Sequence, residues 1–325
     1  MIRVATVLTH RRAADTAAAL AALIAAAGRA DVTLRFDAEE TSKHALRAQR
    51  GIEVDAPLTR EADLCIVMGG DGTILTALRE YAGTSVPVFA VNFGEVGFLA
   101  TLDPDGLDAD FDVAFAGAFD TLELPGITVG RPEGSWLAMN DISVHRKPGF
   151  RVADLAYALA GEEIGRVRCD GLVVSTPQGS TGYNLANGGP VLAWGVAGFV
   201  VSFIAPHSLT ARSLVVATPQ GSTGYNLANG GPVMAWGVEG YVVSFVAPHS
   251  LTARALVIAP GDPLTINNAS REEPVEVHVD GRPSCELPPG EDLHVDFAAS
   301  HGTLAQLPGA SFYHRLRERF GRLAR

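Results

Sequence analysis

A glycine-rich turn that carries one carboxylate is the part of this sequence best suited to chemistry. It follows an apolar run at 64–68 and consists of Gly69, Gly70, Asp71, Gly72 and Thr73. Glycines let the backbone approach a ligand closely, and N–H groups at the start of a following helix bind phosphate oxygens. Asp71 would repel a phosphate, so it indicates a proton acceptor or a metal-linked role. The alternative is an ordinary strand-to-helix turn capped by Asp71.

A second polar, glycine-bearing segment lies at 176–183, with the sequence Thr-Pro-Gln-Gly-Ser-Thr-Gly-Tyr. Such a loop can wrap a nucleotide, because its backbone is unobstructed and its side chains offer hydroxyl and amide groups. A plain turn between two strands is the alternative, since glycine, proline and serine also favour turns.

The elements around the first turn alternate between strands and helices. Apolar runs predict strands at 2–8, 32–36, 64–68 and 88–92. Helices are predicted at 12–27, ended by Gly28, and from 73 to before Pro87. This rhythm indicates a mostly parallel, Rossmann-like sheet, in which ligands bind beyond the carboxyl ends of the strands. Asp71 and Asn92 both follow such ends.

From about residue 122 the pattern changes to short β-type runs separated by glycine, proline, asparagine and aspartate. The fold class is therefore α/β, with an N-terminal Rossmann-like α/β domain and a C-terminal mainly antiparallel β domain. We expect the domains at 1–120 and 121–300. A C-terminal segment, 301–325, is expected to carry an arginine-rich helix that returns to the first domain. Its arginines suit either a solvated face or phosphate binding.

Composition narrows the possible functions. The chain has 325 residues, 47% of them hydrophobic, and a formal net charge of −11. That charge argues against binding to nucleic acid or to an acidic membrane. An alanine-rich stretch at 13–27 is better explained by a helix than by an export signal, and no membrane protein is indicated. Three scattered cysteines without metal-ligand spacing favour a reduced cytoplasm.

A tandem repeat interrupts the second domain. Residues 176–217 and 218–259 agree at all but six of 42 positions. Two copies are too few for a solenoid, which needs about three repeats to bury a continuous core. The surplus copy could add strands, stay partly disordered, or compete with the other copy for one place. We hypothesise that it lowers solubility or alters oligomerisation, which a chain lacking 218–259 would test by elution and melting.

Several motifs together resemble those of the NAD kinases. They are the turn at 69–73, the segments 92–99, 140–141, 170–171 and 176–189, and the closing stretches 280–282 and 312–317, all in the family's order. The Gly-Gly-Asp-Gly turn alone is also found in diacylglycerol-type lipid kinases and phosphofructokinases. The resemblance covers most of the chain.

The resemblance implies an ATP-dependent kinase with NAD and ATP as partners, in which the 2′-hydroxyl of the adenosine ribose of NAD attacks the γ-phosphate of ATP. Asp71 would be the catalytic base, and Mg²⁺ or another divalent cation would bridge the ATP oxygens. A homo-oligomer, a dimer or tetramer, is expected. The substrate- and nucleotide-binding residues implied are Gly69, Gly70, Gly72, Thr73, Asn92, Phe98, Asn140, Asp141, Arg168, Asp170, Thr181, Gly182, Tyr183, Asn184, Ala186 and Arg282.

Within that set, the resemblance places Asn140 and Asp141 on the substrate ribose and Asp170 near its nicotinamide half. Thr181, Tyr183 and Phe98 would surround the adenine. Arg168 and Arg282 could equally be surface arginines. The chain departs from the family at Asp141, where glutamate is usual, at Gly182, where alanine is usual, and at Phe93, where leucine is usual.

The register of the repeat favours the first copy as the working one, because a shift of 42 residues replaces Asp170 by Arg212 upstream of the second loop. The histidines in the two Ala-Pro-His-Ser segments, His207 and His249, are expected to be structural. Two other functions stay open. One is a lipid kinase of the Gly-Gly-Asp-Gly type, which the segments at 140–141 and 176–183 disfavour. The other is a catalytically impaired NAD-binding protein.

Overall fold

A computed structural model describes residues 2–94, 97–104, 106–132, 134–204, 214–217, 232–234, 242–245 and 255–308. The backbone divides into a first unit, Met1–Leu124 with Ser300–Arg325, and a second unit, Pro125–Ala299. The helix expected at 312–325 lies outside the described residues. So do Arg212, His207, His249 and most of the second repeat copy.

The first unit contains a parallel sheet. Its strands are β1 (Val4–Thr9), β2 (Thr33–Arg35), β3 (Ile52–Glu53), β4 (Leu64–Gly69), β5 (Val88–Asn92) and the end of β20 (Asp292–Gln306). Their order is β20-β5-β4-β1-β2-β3, and every neighbouring pair is parallel. The chain moves outward from β1 to β3 on one side and from β4 to β5 on the other. The order therefore reverses between β1 and β4, where ligands of such sheets bind.

Four helices accompany this sheet: α1 (Ala13–Ala30), α2 (Ala38–Lys43), α3 (Asp71–Glu80) and α4 (Leu107–Phe115). The prediction that Gly28 ends the first helix is wrong. The helix continues through Gly28 and ends at Ala30, where the capping residue Asp31 adopts the left-handed conformation with φ of 54°. Packing of the apolar stripe that includes Leu20 and Leu23 outweighs the modest cost of one glycine in a helix.

Helix α1 is long and apolar enough, by length and composition alone, to cross a membrane. Its mean hydropathy of 1.3 comes mainly from alanines. Leu20, Leu23, Ala26 and Ala27 are buried in the core of the first unit, so one face of this helix packs on that core.

The second unit is mainly antiparallel β structure. Its strands are β6 (Asp120–Arg131, shared with the first unit), β7 (Gly134–Ala138), β8 (Asp141–Arg146), β9 (Ala153–Leu159), β10 (Glu162–Cys169), β11 (Gly171–Ser175), β12 (Phe199–Ile204), β13 (Leu214–Ala217), β14 (Val233–Met234), β15 (Val242–Phe245), β16 (Leu256–Ile258), β17 (Leu264–Asn268), β18 (Val275–Val279) and β19 (Arg282–Leu287). A 3₁₀ turn, Gly179–Thr181, and a short helix, α5 (Tyr183–Ala186), follow β11.

Two groups of strands enclose the core of this unit. One is a seven-stranded sheet in the order β14-β16-β12-β11-β8-β18-β19, and the other contains β10, β9, β17 and the start of β20. Inward-facing residues of both groups form one apolar cluster that includes Val144, Val174, Leu155 and Ile266. The rings of Tyr157 and Phe203 lie 5.4 Å apart between β9 and β12. Burial alternates along β9, β17 and β18, as antiparallel strands with one covered face require, whereas β11 is buried along its whole length.

Strands of the first repeat copy pair with strands of the second copy. With a shift of 42 residues, β15 is the equivalent of residues 200–203 in β12, and β16 is the equivalent of β13. Yet β12 pairs with β16, through Phe199 and Ile258, while β13 pairs with β15 in a separate two-stranded sheet. The large sheet thus contains β12 from the first copy and β16, with its neighbour β14, from the second.

Candidate functional site

Asp71 is the first residue of α3, directly after β4 at the reversal of the strand order. Its two carboxylate oxygens accept hydrogen bonds from the backbone N–H groups of Phe98, at 3.1 Å, and Leu99, at 2.9 Å. The carboxylate also lies at the positive end of the α3 dipole. These interactions fix the orientation of the carboxylate.

The glycine-rich turn before α3 and the loop after β5 are in contact through their backbones. A Cβ atom on Gly94 would lie 2.8 Å from the Cα atom of Gly70, and the Phe93 N–H donates to the Gly69 carbonyl oxygen at 3.0 Å. Glycine is required at Gly94, because any side chain there would meet backbone. Gly72, in contrast, is exposed, and a Cβ atom on it would have no neighbouring atom within 4 Å. Gly72 therefore leaves open space beside Asp71.

Asn92 organises the loop that follows β5. It is 4% exposed, its Oδ1 accepts from the Gly94 N–H at 3.0 Å, and its Nδ2 donates to Asp103 at 3.4 Å. Gly97 has a φ of +67°, and a Cβ atom there would come within 2.4 Å of the Asn92 amide. Asn92 thus holds the loop that carries the donors to Asp71. The Phe98 side chain is 6% exposed within the same unit.

In the second unit, Asn140 and Asp141 stand at the start of β8 in a turn clamped by Asp280. The Asp280 carboxylate accepts from the N–H groups of Met139 at 3.1 Å, Asn140 at 2.7 Å and Asp141 at 3.2 Å. The Asp280 N–H donates to the Asp141 carbonyl oxygen at 2.8 Å. Asn140 Oδ1 is buried and has no hydrogen-bond partner within the described part of the chain. An orphaned buried acceptor of this kind suits a ligand hydroxyl.

The first repeat loop packs directly on this turn. Thr176 donates from its backbone N–H to the Asn140 carbonyl oxygen at 2.9 Å and from its hydroxyl to the Met139 carbonyl oxygen at 2.8 Å. Gln178 Nε2 donates to the same Met139 oxygen at 2.5 Å. A Cβ atom on Gly179 would lie 2.0 Å from the Asn140 carbonyl oxygen. The loop of the first copy is therefore joined to the turn by its backbone and its glycine.

Asn184 holds this loop together through its side-chain amide. It is fully buried, and its Nδ2 donates to the carbonyl oxygens of Ser180 at 3.0 Å and Pro190 at 2.8 Å. Its Oδ1 accepts from the Ser202 hydroxyl at 3.0 Å. Thr181 donates to the Gln178 carbonyl oxygen at 3.1 Å, while Gly182 and Ala186 are exposed.

Tyr183 extends from α5 towards β8. Its ring lies 5.7 Å from that of His145, which in turn lies 5.4 Å from His278. Burial, followed by the charge of Asp280, raises the pKa of Asp141 to about 7, and burial followed by the Asp141 charge raises the pKa of Tyr183. Sequence reasoning missed His145. The period of two along β8 could have found it, because Asp141 and His145 lie on one face of that strand.

Asp170, between β10 and β11, is ion-paired. Its Oδ1 accepts from Arg146 Nε at 2.6 Å, and both side chains are about one-third exposed. Sequence analysis did not single out Arg146. Arg168 and Arg282 are both exposed. The second unit thus gathers Asn140, Asp141 and Tyr183 around one turn, while Asp170 lies directly before β11 in the chain.

Comparison with protein-family models gives two matches. Residues 8–119 match the ATP-NAD kinase N-terminal domain. The ATP-NAD kinase C-terminal domain is matched in two overlapping pieces, 139–220 and 211–307. The overlap of the two pieces falls within the tandem repeat.

Curated relatives and solved structures agree with these matches. The chain is 30% identical to the NAD kinase of Gemmatimonas aurantiaca over 97% of this chain and 94% of that one. It is 40% identical to the NAD kinase of Rhodopirellula baltica over 47% and 51%. Its fold is similar to yeast NADH kinase complexed with NADH, with a TM-score of 0.75, 19% identity and 98% and 88% coverage. An NAD kinase from Archaeoglobus fulgidus in complex with ATP gives a TM-score of 0.65, 21% identity and 99% coverage of both chains.

Proposed function

The chain belongs to the NAD kinase family, and from that premise we propose roles for its residues in the reaction. The enzyme is an ATP-dependent phosphotransferase that moves the γ-phosphate of ATP to the 2′-hydroxyl of the adenosine ribose of NAD, which gives NADP. The reaction has two chemical needs. One proton has to leave the hydroxyl, and two nucleotides have to be held so that the reacting oxygen and phosphorus atoms meet.

The observation that carries the proposal is the fixed carboxylate of Asp71 at the start of α3. Asp71 accepts the proton of the attacking hydroxyl, and its two bonds to the N–H groups of Phe98 and Leu99 keep it in one orientation. The open space at Gly72 and the N–H groups of the first turn of α3 receive the phosphates of ATP. Gly69, Gly70 and Thr73 shape this turn.

Mg²⁺ is proposed as the divalent ion that bridges the ATP oxygens and neutralises their charge. The described residues contain no group of three or more histidine, cysteine, aspartate or glutamate side chains that could hold a metal. Mg²⁺ usually keeps several waters and binds through substrate phosphates with few protein ligands, so its proposed place is on the phosphates of ATP. The chain then contributes the orientation of the nucleotide and the proton acceptor, and the ion travels with the nucleotide.

For the acceptor nucleotide, we assign Asn140 Oδ1 and the Asp141 carboxyl to the ribose hydroxyls. The orphaned Asn140 oxygen supports this role, because a hydroxyl donor would satisfy it. Tyr183 and Thr181 contact the adenine, and Tyr183 offers a face for stacking. Asp170, paired with Arg146, lies towards the nicotinamide half. Phe98, Gly182, Ala186, Arg168 and Arg282 remain proposed contacts.

The first repeat copy supplies this nucleotide loop, a proposal supported by its bonds to Met139 and Asn140. Tyr183→Ala tests it, and Tyr225→Ala is the matched control at the equivalent position of the second copy. We expect the first substitution to raise the KM for NAD about tenfold, since stacking on one base contributes about 1–3 kcal/mol. The second should leave that KM unchanged. The opposite result would assign the site to the second copy.

The reaction itself is tested by measuring NADP⁺ formation by the purified chain with NAD⁺, ATP and Mg²⁺, beside phosphorylation of diacylglycerol vesicles under the same conditions. Turnover of NAD⁺ without turnover of lipid is the expected result. Turnover of lipid alone would support the rival kinase class. NAD binding without any turnover would indicate a protein whose catalysis is blocked.

We also propose a cellular location and an oligomeric state for the enzyme. A cytoplasmic location is supported by the low cysteine content, three in 325 residues, which is typical of proteins from a reducing compartment. Homo-oligomerisation is supported by the two-stranded sheet of β13 and β15, whose outer edges have no partner strand in the described part of the chain. Sedimentation of the full chain measures the oligomeric state directly.

A further inference from the structure

Asp280 makes four hydrogen bonds with the backbone of residues 139–141. Its carboxylate accepts from Met139, Asn140 and Asp141, and its own N–H donates to the Asp141 carbonyl oxygen. Asp280 itself has a φ of +47°, the left-handed conformation that aspartate tolerates better than most residues. These four bonds join the turn after β18 to the turn before β8.

The hydrogen bonds of Asp280 determine which atoms of the 139–141 turn can contact a ligand. All three N–H groups donate to one carboxylate, which holds the backbone of the turn in place, and Asn140 Oδ1 is left without a partner in the described part of the chain. Thr176 and Ser175 donate to the Asn140 carbonyl oxygen from another direction. The backbone is thus held by Asp280 and by the 176–179 loop, while the two side chains remain for the ligand.

We infer that Asp280 is the positioning residue of the acceptor subsite, which sets the orientation of Asn140 and Asp141 for the hydroxyls of the NAD ribose. This inference rests on the proposed role of Asn140 and Asp141. Asp280 touches neither substrate in this account. Its effect passes through the backbone of the turn and, because two carboxyls are close, through the charge state of Asp141.

The charge of Asp280 should also affect the pH dependence of NAD binding. A residue with a purely structural role would leave that pH dependence unchanged. Two groups act on or respond to Asp141: Asp280, from the turn after β18, and Tyr183, from α5. The pKa of Asp141 is raised to about 7 first by burial and then by Asp280. An ionised Asp141 accepts stronger hydrogen bonds from ribose hydroxyls, so NAD affinity should rise as the pH passes through about 7. Removal of the Asp280 charge lowers this midpoint.

The experiment compares the wild-type chain with Asp280→Asn, Asp280→Glu and the control Asp296→Asn, which removes an exposed carboxylate from β20 in the same unit. The Kd for NAD is measured by titration calorimetry between pH 5.5 and 8.5, and the KM values for NAD and ATP by steady-state kinetics. Asp280→Asn replaces an acceptor oxygen by an N–H₂ group that faces another donor. We expect its Kd for NAD to rise about tenfold, with the KM for ATP unchanged and the midpoint at lower pH.

A Kd for NAD within about twofold of wild type in folded Asp280→Asn would overturn the inference. So would an equal loss of NAD and ATP affinity, which marks general destabilisation. If Asp280→Asn does not fold, Asp280→Glu carries the same test, because it keeps the charge and displaces the oxygens by one methylene. It should weaken NAD binding with the midpoint retained. A wild-type chain that binds NAD without turnover would count against the proposed reaction alone, since the Kd comparison still decides the role of Asp280.

Discussion

Gly70 and Gly94 meet backbone to backbone. A Cβ atom on Gly94 would lie 2.8 Å from the Gly70 Cα, and one on Gly70 would lie 3.2 Å from the Gly94 Cα. This contact joins the turn before α3 to the loop after β5, so that the N–H groups of Phe98 and Leu99 reach Asp71. The position of the proposed base depends on two residues without side chains.

Gly94→Ala should therefore damage both stability and activity. The added methyl group meets backbone that cannot turn away, and overpacking of this kind costs about 1–3 kcal/mol. We expect the free energy of unfolding, measured by urea titration, to fall by about 2 kcal/mol, with a lower kcat. Gly28→Ala is the control, because a Cβ atom there has no atom within 4 Å. A Gly94→Ala chain as stable and active as wild type would show that the contact is dispensable.

Gly72→Ala separates folding from phosphate binding. Gly72 lies in the first turn of α3 with open space around it, so alanine should stabilise the helix by up to about 1 kcal/mol. The same methyl group would occupy the place proposed for the phosphates, which should raise the KM for ATP about tenfold. Gly28→Ala should give a similar gain in stability with an unchanged KM. If both variants leave the KM unchanged, ATP does not approach Gly72.

Removal of residues 214–255 tests the exchange of strands between repeat copies. This deletion takes out β13, β15 and the edge strand β14 but keeps β12 and β16, which pair in the seven-stranded sheet. We expect the shortened chain to fold, to keep NADP⁺ formation within about threefold, and to elute with less association, since the outer edges of the sheet of β13 and β15 are gone. An insoluble or unfolded product would mean that the insertion supports the sheet. Identical elution and melting would refute the link between the repeat and association.

We expect the protonation of Asp141 to make the folded chain less stable as the pH rises. Its pKa rises from 3.8 to about 7 on folding, so between these values the folded chain holds a proton that the unfolded chain has released. Stability from this group is therefore present at low pH and is lost as the pH rises from about 4 to about 7. Asp141→Asn lacks this titration.

The measurement is the Tm of wild type and Asp141→Asn at pH 5 and pH 8. The difference between them should change by about 4 °C or more, to the disadvantage of wild type at pH 8. Asp296→Asn should follow the wild-type curve. Parallel curves for wild type and Asp141→Asn would show that Asp141 titrates normally in the folded chain.

Local patterns were sufficient to predict the architecture. Apolar runs predicted β4 and β5 within one residue, and the switch to short β-type runs indicated the antiparallel second part. The prediction of a helix end at Gly28 was wrong because the packing of α1 outweighs the low helix propensity of one glycine. The exchange of β12 and β15 partners could not be predicted, because nearly identical strands compete for the same neighbours and only the full sheet decides among them.

The candidate site was predictable in its residue types and less so in their roles. Asp71 at the end of β4 follows from the strand-to-helix pattern. The amides of Asn92 and Asn184 make hydrogen bonds inside the chain, which the sequence does not reveal, and their contact with a ligand stays a prediction. The contacts of Asp280 with residues 139–141 join positions about 140 apart in sequence, which no local pattern reports.

The measurement that tests the account most directly is the kcat of Asp71→Asn for NADP⁺ formation, with Kd values for NAD and ATP and the Tm of the same variant. Asp108→Asn is the control, because it removes an exposed acidic residue from the first turn of another helix, α4. We predict that kcat falls by roughly 10²–10⁴-fold in Asp71→Asn, with both Kd values within about threefold and the fold retained, and that Asp108→Asn behaves like wild type. A kcat within about tenfold of wild type would contradict the assignment of Asp71 as the base.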